Sequence, residues 1–139
     1  MSEKLTEPLP PLPPVRQWLP PLVIAWLVPG GGHMYLKRYY RGAILGGCTS
    51  VLFILGLLMR GYLFEPMTGD LLTTIIYVGG AIADRATGLL YILARIFGYS
   101  APDVAGHSID YGTKFLVIAG LFNILAMVDA FEIAAGRKD

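Results

Sequence analysis

Two runs of this chain, residues 42–59 and 115–131, cover most of a bilayer's thickness and carry no charge until the last few residues of the second. Hydrocarbon offers a backbone no hydrogen-bonding partner, so runs of this kind are expected to cross it as helices. With 55% of its residues hydrophobic, 15% charged and a mean hydropathy of +0.58, a chain of 139 residues carries more apolar surface than one water-soluble core can hide. At about 1.5 Å per residue and about 30 Å of hydrocarbon, there is room for roughly four crossings with short loops. The expected fold is all-α: an integral membrane helical bundle of about four apolar segments, residues 16–30, 42–60, 71–97 and 111–133, behind a proline-rich tail over residues 1–15.

The 11 basic residues are scattered at a net charge of +1, which excludes the continuous basic surface that nucleic acid requires. Cys48 is the single cysteine, so no internal disulfide is possible, and its expected role is that of a small packing residue. Residues 1–14 are acidic, basic and proline-rich in turn, so no signal peptide is expected and the first hydrophobic segment stays as an anchor. Pro8, Pro10, Pro11, Pro13 and Pro14 favour extended polyproline geometry, a stiff solvated tail or a partner-binding strap.

The first segment is short and broken. Pro20 and Pro21 suit the opening of a helix, and Pro29, Gly30, Gly31 and Gly32 disfavour its continuation, leaving either a helix begun nearer Val15 or a short, tilted or re-entrant piece. The second segment sets Gly42 and Gly46 four apart, a spacing that lets another helix backbone approach, with Gly47, Ser50 and Gly56 extending the groove. Residues 61–70 are rich in turn formers and read as an interfacial loop. Residues 71–83 are too short to cross alone, so the segment either continues to residue 97 or breaks near Gly79 and Gly80 into two half-helices, and one long or kinked helix is the favoured expectation. The last segment carries Gly120 and Asn123 in its middle and ends on Arg137 and Lys138. Four crossings divide the basic residues evenly between the two faces. The cluster Lys37, Arg38 and Arg41 tips the expectation towards a cytoplasmic first loop.

The run Pro29, Gly30, Gly31, Gly32, His33, Met34, Tyr35, Leu36, Lys37, Arg38 to Arg41 and Gly42 resembles the first turn of the small two-transmembrane-helix domain. It is closer still to a related bacterial family of short multi-helix membrane proteins, whose turn reads proline, glycine, histidine, tyrosine, leucine, glycine, arginine. That family also closes on a segment similar to residues 119–125 followed by 129–134 and Gly136, Arg137 and Lys138. The resemblance covers most of the chain, with Lys37 standing where the family carries glycine. It implies a fold and no particular activity. At such a turn His33, Tyr35, Lys37, Arg38 and Arg41 are expected at the level of the lipid headgroups.

Asp84 and Arg85 are the most costly residues, since a charge near the bilayer centre costs about 2.5–3.5 kcal/mol on insertion scales. Sequence neighbours do not face each other on a helix, so Asp84 or Arg85 is expected to pair across helices with Asp129, Glu132 or Arg60. Asn123 and Asp129 join them as intramembrane polar contacts, and Gly42, Gly46 and Gly120 are the expected packing sites. No metal site is expected, because no ligand spacing occurs. His33 or His107 as a haem or pigment ligand is the weaker alternative to a hydrogen-bonded histidine. Ser108 beside His107 and Asp110 lacks any nucleophile-elbow sequence. The expectation is therefore not an enzyme but a non-catalytic accessory subunit of a larger membrane complex, respiratory or photosynthetic, in the bacterial cytoplasmic membrane. Its expected partners are lipids and other membrane subunits, with no cofactor of its own. The competing expectations are a self-associating transporter using Asp84, Arg85 and Asp129, and a pigment- or haem-contacting subunit.

Overall fold

The computed structural model describes residues 8, 11–101 and 106–137. Most of the proline-rich tail, residues 102–105 and Lys138 lie outside the described residues. Within them the regular structure is all helical: α1 (Val15–Leu27), α2 (Gly31–Tyr35), α3 (Tyr39–Leu58), α4 (Leu71–Arg85), α5 (Leu89–Ile96) and α6 (His107–Ala134).

The frame is the antiparallel pair α3 and α6, the two helices long and apolar enough to cross a membrane. Gly42, Gly46, Thr49, Phe53 and Gly56 form the buried stripe of α3, and Gly112, Leu116, Ala119, Asn123 and Ala126 repeat the same alternating steps of four and three on α6. That spacing keeps one seam facing a partner helix along its length. At one end Gly56 lies against Gly112 and Leu116; at the other, Arg41 Nη1 is 3.7 Å from Asp129 Oδ2. The first end is called here the Gly61 end, the second the basic end. Cys48 departs from the expectation of a packing residue: it is exposed, and Gly47 beside it faces open space, because both lie on the side of α3 turned away from the seam.

The first segment begins at Val15, so Pro20 and Pro21 sit inside α1 rather than at its start. Gln17 Nε2 donates to Ala134 O at 3.2 Å, Trp18 meets Phe131 edge-on with centroids 5.2 Å apart, and Asn123 reaches Ala25 O. These contacts run α1 from the basic end to the middle of α6. There the chain reverses. A side-chain carbon at Gly42 or Gly46 would collide with the Gly30 or Pro29 carbonyl, and α2 returns to the basic end, where Arg41 opens the next helix. The Gly42 and Gly46 groove therefore receives a turn of its own chain, where the spacing alone suggested a neighbouring helix.

The expected long helix over residues 71–97 is in fact two, α4 and α5, bent by 98° at a break over residues 86–88. By length and composition the pair counts as a third candidate span at most, so two or three spans replace the expected four. Phe64 packs on Gly80, Gly120 abuts the Ala83 carbonyl and Asn123 meets Ala86 O, so α4 runs from the Gly61 end to the middle of α6. Ala94 then joins Phe53, Leu116 and Ala119 in the core, and the Tyr99 hydroxyl donates to Gly61 O at 2.7 Å. Burial raises the pKa of that hydroxyl. Both ends of the α4–α5 element thus lie at the Gly61 end.

Two bent elements therefore dip from opposite ends and meet halfway, each followed by a long helix. The halves share more than their order, although no internal repeat is legible in the sequence. All six described residues with left-handed backbone fall into three matching pairs: Gly30 and Gly88 at the two reversals, Lys37 and Gly98 after the short helices, Arg60 and Gly136 after the long ones. Each helix end in the last two pairs closes the same way, with Arg38 N to His33 O, Tyr99 N to Ala94 O, Gly61 N to Gly56 O and Arg137 N to Glu132 O. Packing breaks the symmetry, since α1 and α4 both lean on α6.

Gly120→Ala would press a methyl group into the Ala83 carbonyl and is expected to cost about 2–3 kcal/mol. Gly79→Ala points into open space and is expected to be neutral or to stabilise by up to about 1 kcal/mol. Thermal unfolding of the detergent-purified protein measures both.

Candidate functional site

A helix leaves its last four carbonyls without amide donors, and α1 and α4 both end in the middle of the bundle. Asn123 resolves this. Its side-chain Nδ2 donates to Ala25 O at 3.2 Å and to Ala86 O at 2.6 Å, so the two hydrogens of one amide hold two elements that arrive from opposite ends. The negative ends of two helix dipoles converge on this donor group. Trp26 Nε1 adds a third link, donating to Arg85 O at 2.9 Å, and Gly88 has no room for a side chain because the Trp26 carbonyl lies against it. Thr87 Oγ1 donates to Asp84 O at 2.6 Å and closes the end of α4.

Asp84 and Arg85 do not make the expected pairings with Asp129, Glu132 or Arg60. Asp84 is fully buried, and its Oδ2 accepts from the backbone amide of Phe64 at 2.6 Å, tying the 61–70 connection to α4. That connection is consequently not a loop lying only on a surface: Phe64 turns inward onto Gly80 and meets Tyr77 edge-on at 5.5 Å. Arg85 is half-buried, donates Nη1 to Ala81 O at 3.1 Å and lies 5.3 Å from the Tyr91 ring centroid. Among the described residues no carboxylate stands within ion-pair distance of it. Arg95, one helix on, pairs with Glu65.

The second polar group sits at the basic end. His33, expected at headgroup level, has no exposed surface, and Nε2 lies 2.7 Å from Asp129 Oδ2. A carboxylate accepts, so Nε2 carries the proton. Asp129 also faces Arg41, which makes a chain of His33, Asp129 and Arg41 across α2, α6 and α3. One ring nitrogen of His33 is thus engaged by a carboxylate, and the ring is enclosed by the chain. His107 is exposed at the first residue of α6. Tyr35, Lys37, Arg38 and Arg41 are exposed around the basic end. Among the described residues no three metal-ligating side chains gather.

Beside the junction lies a groove of about 550 Å³ between α1, α4 and α6, lined by apolar residues including Leu22, Trp26, Ile82, Met127 and Phe131, with Arg85 as its one charged residue. Ile82 and Val128 on its rim are 58% and 49% exposed, so it opens sideways. Trp26, Phe64 and Gly88 escaped the sequence reading as junction residues. Gly88 alone left a local signal, a glycine closing a charged helix end after Asp84 and Arg85.

These features define a small all-α protein whose candidate membrane helices are braced by buried polar contacts. Residues 21–139 match the model of a family of unknown function, DUF6677, and the chain belongs to that family. No curated protein and no solved structure matches it.

Asn123→Ala leaves two buried carbonyls without a donor and is expected to lower stability by about 2–4 kcal/mol, with Asn123→Asp worse because it sets an acceptor against them. Asp129→Asn keeps an acceptor for His33 and is expected to cost about 1 kcal/mol, against about 3 for Asp129→Leu. Denaturation of the purified variants in one detergent tests both rankings.

Proposed function

We propose that the protein is a non-catalytic, multi-pass subunit of a larger assembly in the bacterial cytoplasmic membrane, a respiratory or photosynthetic complex being the natural host. One observation carries the reading: the polar groups at the centre are turned on the chain's own backbone. Asn123 serves Ala25 and Ala86, Trp26 serves Arg85, and Asp84 serves Phe64. Such contacts stiffen a scaffold. Tyr35, Lys37, Arg38 and Arg41 supply lipid headgroup contacts at the basic end.

The same end carries Arg16, Lys37, Arg38, Arg41 and Arg137, whereas Arg60, Arg95 and Lys114 belong to the Gly61 end. The dipping course of α1–α2 brings Arg16 to the side of Lys37, so the even division expected from four crossings becomes a bias. The basic end then faces the cytoplasm. A second reading, a small transporter, draws support from the two interrupted helices that meet midway from opposite ends, an arrangement that builds substrate sites in many carriers.

Mild extraction followed by mass measurement of the intact assembly is expected to find the chain in fixed ratio with unrelated membrane subunits. Flux through liposomes holding the purified protein, abolished by Asp84→Asn, would establish the transporter instead. In a Cys48→Ala background, an impermeant maleimide applied from the cytoplasmic face is expected to label Arg16→Cys and Tyr40→Cys, and applied from the other face to label Asp110→Cys.

A further inference from the structure

We infer that the basic end holds one glycerophospholipid of net negative charge, with its phosphate among Lys37, Arg38 and Arg41 and one acyl chain in the cleft between α3 and α6 that begins beneath them. This rests on the headgroup contacts proposed for that end and names their ligand. Residues 37–41 surround a cavity of about 340 Å³ at the start of α3, and Lys37, Arg38 and Arg41 make most of its lining cationic. Lys37 and Arg38 are exposed, and among the described residues no carboxylate stands within ion-pair distance of either. Arg41 is steered from below. Asp129 Oδ2, which the buried His33 holds, lies 3.7 Å from its Nη1.

That contact joins the cavity to the cleft. Asp129 stands at one end of a space of about 270 Å³ whose remaining lining is apolar, Leu45 from α3 and Phe122, Leu125 and Ala126 from α6. Residues four apart share a helix face, so Arg41 stands over Leu45 on α3 and Asp129 over Leu125 on α6. From Asp129 to Phe122 the cleft descends about 10 Å from the basic end towards the middle of the bundle. Cations at the membrane surface with hydrocarbon directly below them match the order of parts in a phospholipid. A free anion would use only the upper part. The sign of the lipid follows from the charges at the mouth, where Lys37, Arg38 and Arg41 outnumber Asp129 and Glu132 one turn beyond it. A phosphodiester without an amine neutralises that excess, whereas the ammonium of a zwitterionic headgroup adds to it.

Lys37 sits in left-handed backbone at φ 62°, which glycine enters without strain, so Lys37→Gly removes a charge while easing the turn. The test titrates the full chain, purified in detergent and stripped of lipid, with dioleoylphosphatidylglycerol, dioleoylphosphatidylethanolamine, glycerol 3-phosphate or inorganic phosphate. Native mass spectrometry reads the complexes and thermal unfolding reads their effect. The expected result is a one-to-one complex with phosphatidylglycerol that raises the melting temperature, about tenfold or more tighter than with phosphatidylethanolamine and matched by neither phosphate compound. Its affinity is expected to fall about fivefold in Lys37→Gly and about fivefold again when Arg38→Gln is added. Leu45→Trp fills the cleft and keeps every charge, and is expected to weaken the complex about tenfold. Equal binding of the two lipids, an equal effect of either phosphate compound, or an affinity undiminished in Lys37→Gly or Leu45→Trp would overturn the inference. Lys37→Gly decides if Leu45→Trp does not fold. Failure of both lipids to bind defeats the headgroup contacts as well, whereas binding without preference defeats this inference alone.

Discussion

The amide of Asn123 is the contact on which the rest of the arrangement depends. A helix that stops inside hydrocarbon exposes carbonyls that water cannot reach, and each such group carries a cost of several kcal/mol. Two helices stop inside this bundle, and a side chain with two hydrogens on a single nitrogen lies between their ends. The close fit of Gly120 against Ala83 and of Gly88 against Trp26 follows from that geometry, since the backbones must come within reach of a short side chain.

Around this centre the two halves of the chain repeat a plan in opposite senses. Lys37 and Arg60 occupy left-handed positions matched in the other half by Gly98 and Gly136. Lys37 is also where the resembling family carries glycine, so the turn keeps its left-handed geometry with a residue for which that geometry is less easy. In lipid, apolar faces gain little from meeting one another, and association depends on close packing and on polar contacts. The bundle follows that rule: small residues line the seam between α3 and α6, and hydrogen bonds secure the ends of the bent elements.

Much of the frame was legible in the sequence. The uncharged lengths of α3 and α6 announced themselves, and the early stop of α1 followed from Pro29 and three glycines. The break in the third segment did not. Gly79 and Gly80 look like the weak point, yet they stay helical because Phe64 packs over Gly80, and the chain breaks instead at residues 86–88, where Trp26 from another element fills the space. Close approach at Gly42 and Gly46 was readable from their spacing, but not that the visitor would be the chain's own turn. His33 looked interfacial because its partner, Asp129, lies 96 residues away. Local pattern reports helix length and turn chemistry; pairing across the fold leaves no local trace.

The place of α1 in this scheme bears on how the protein is made. Its partners are Asn123, Phe131 and Ala134, and the hydrogen bonds among these contacts reach 98 and 117 residues along the chain. Translation proceeds from the amino terminus, so α1 leaves the ribosome long before the α6 that secures it. Until α6 arrives, the insertion machinery or the lipid interface has to shelter an unfinished helix end. Completion of α1 is thus paced by the arrival of α6.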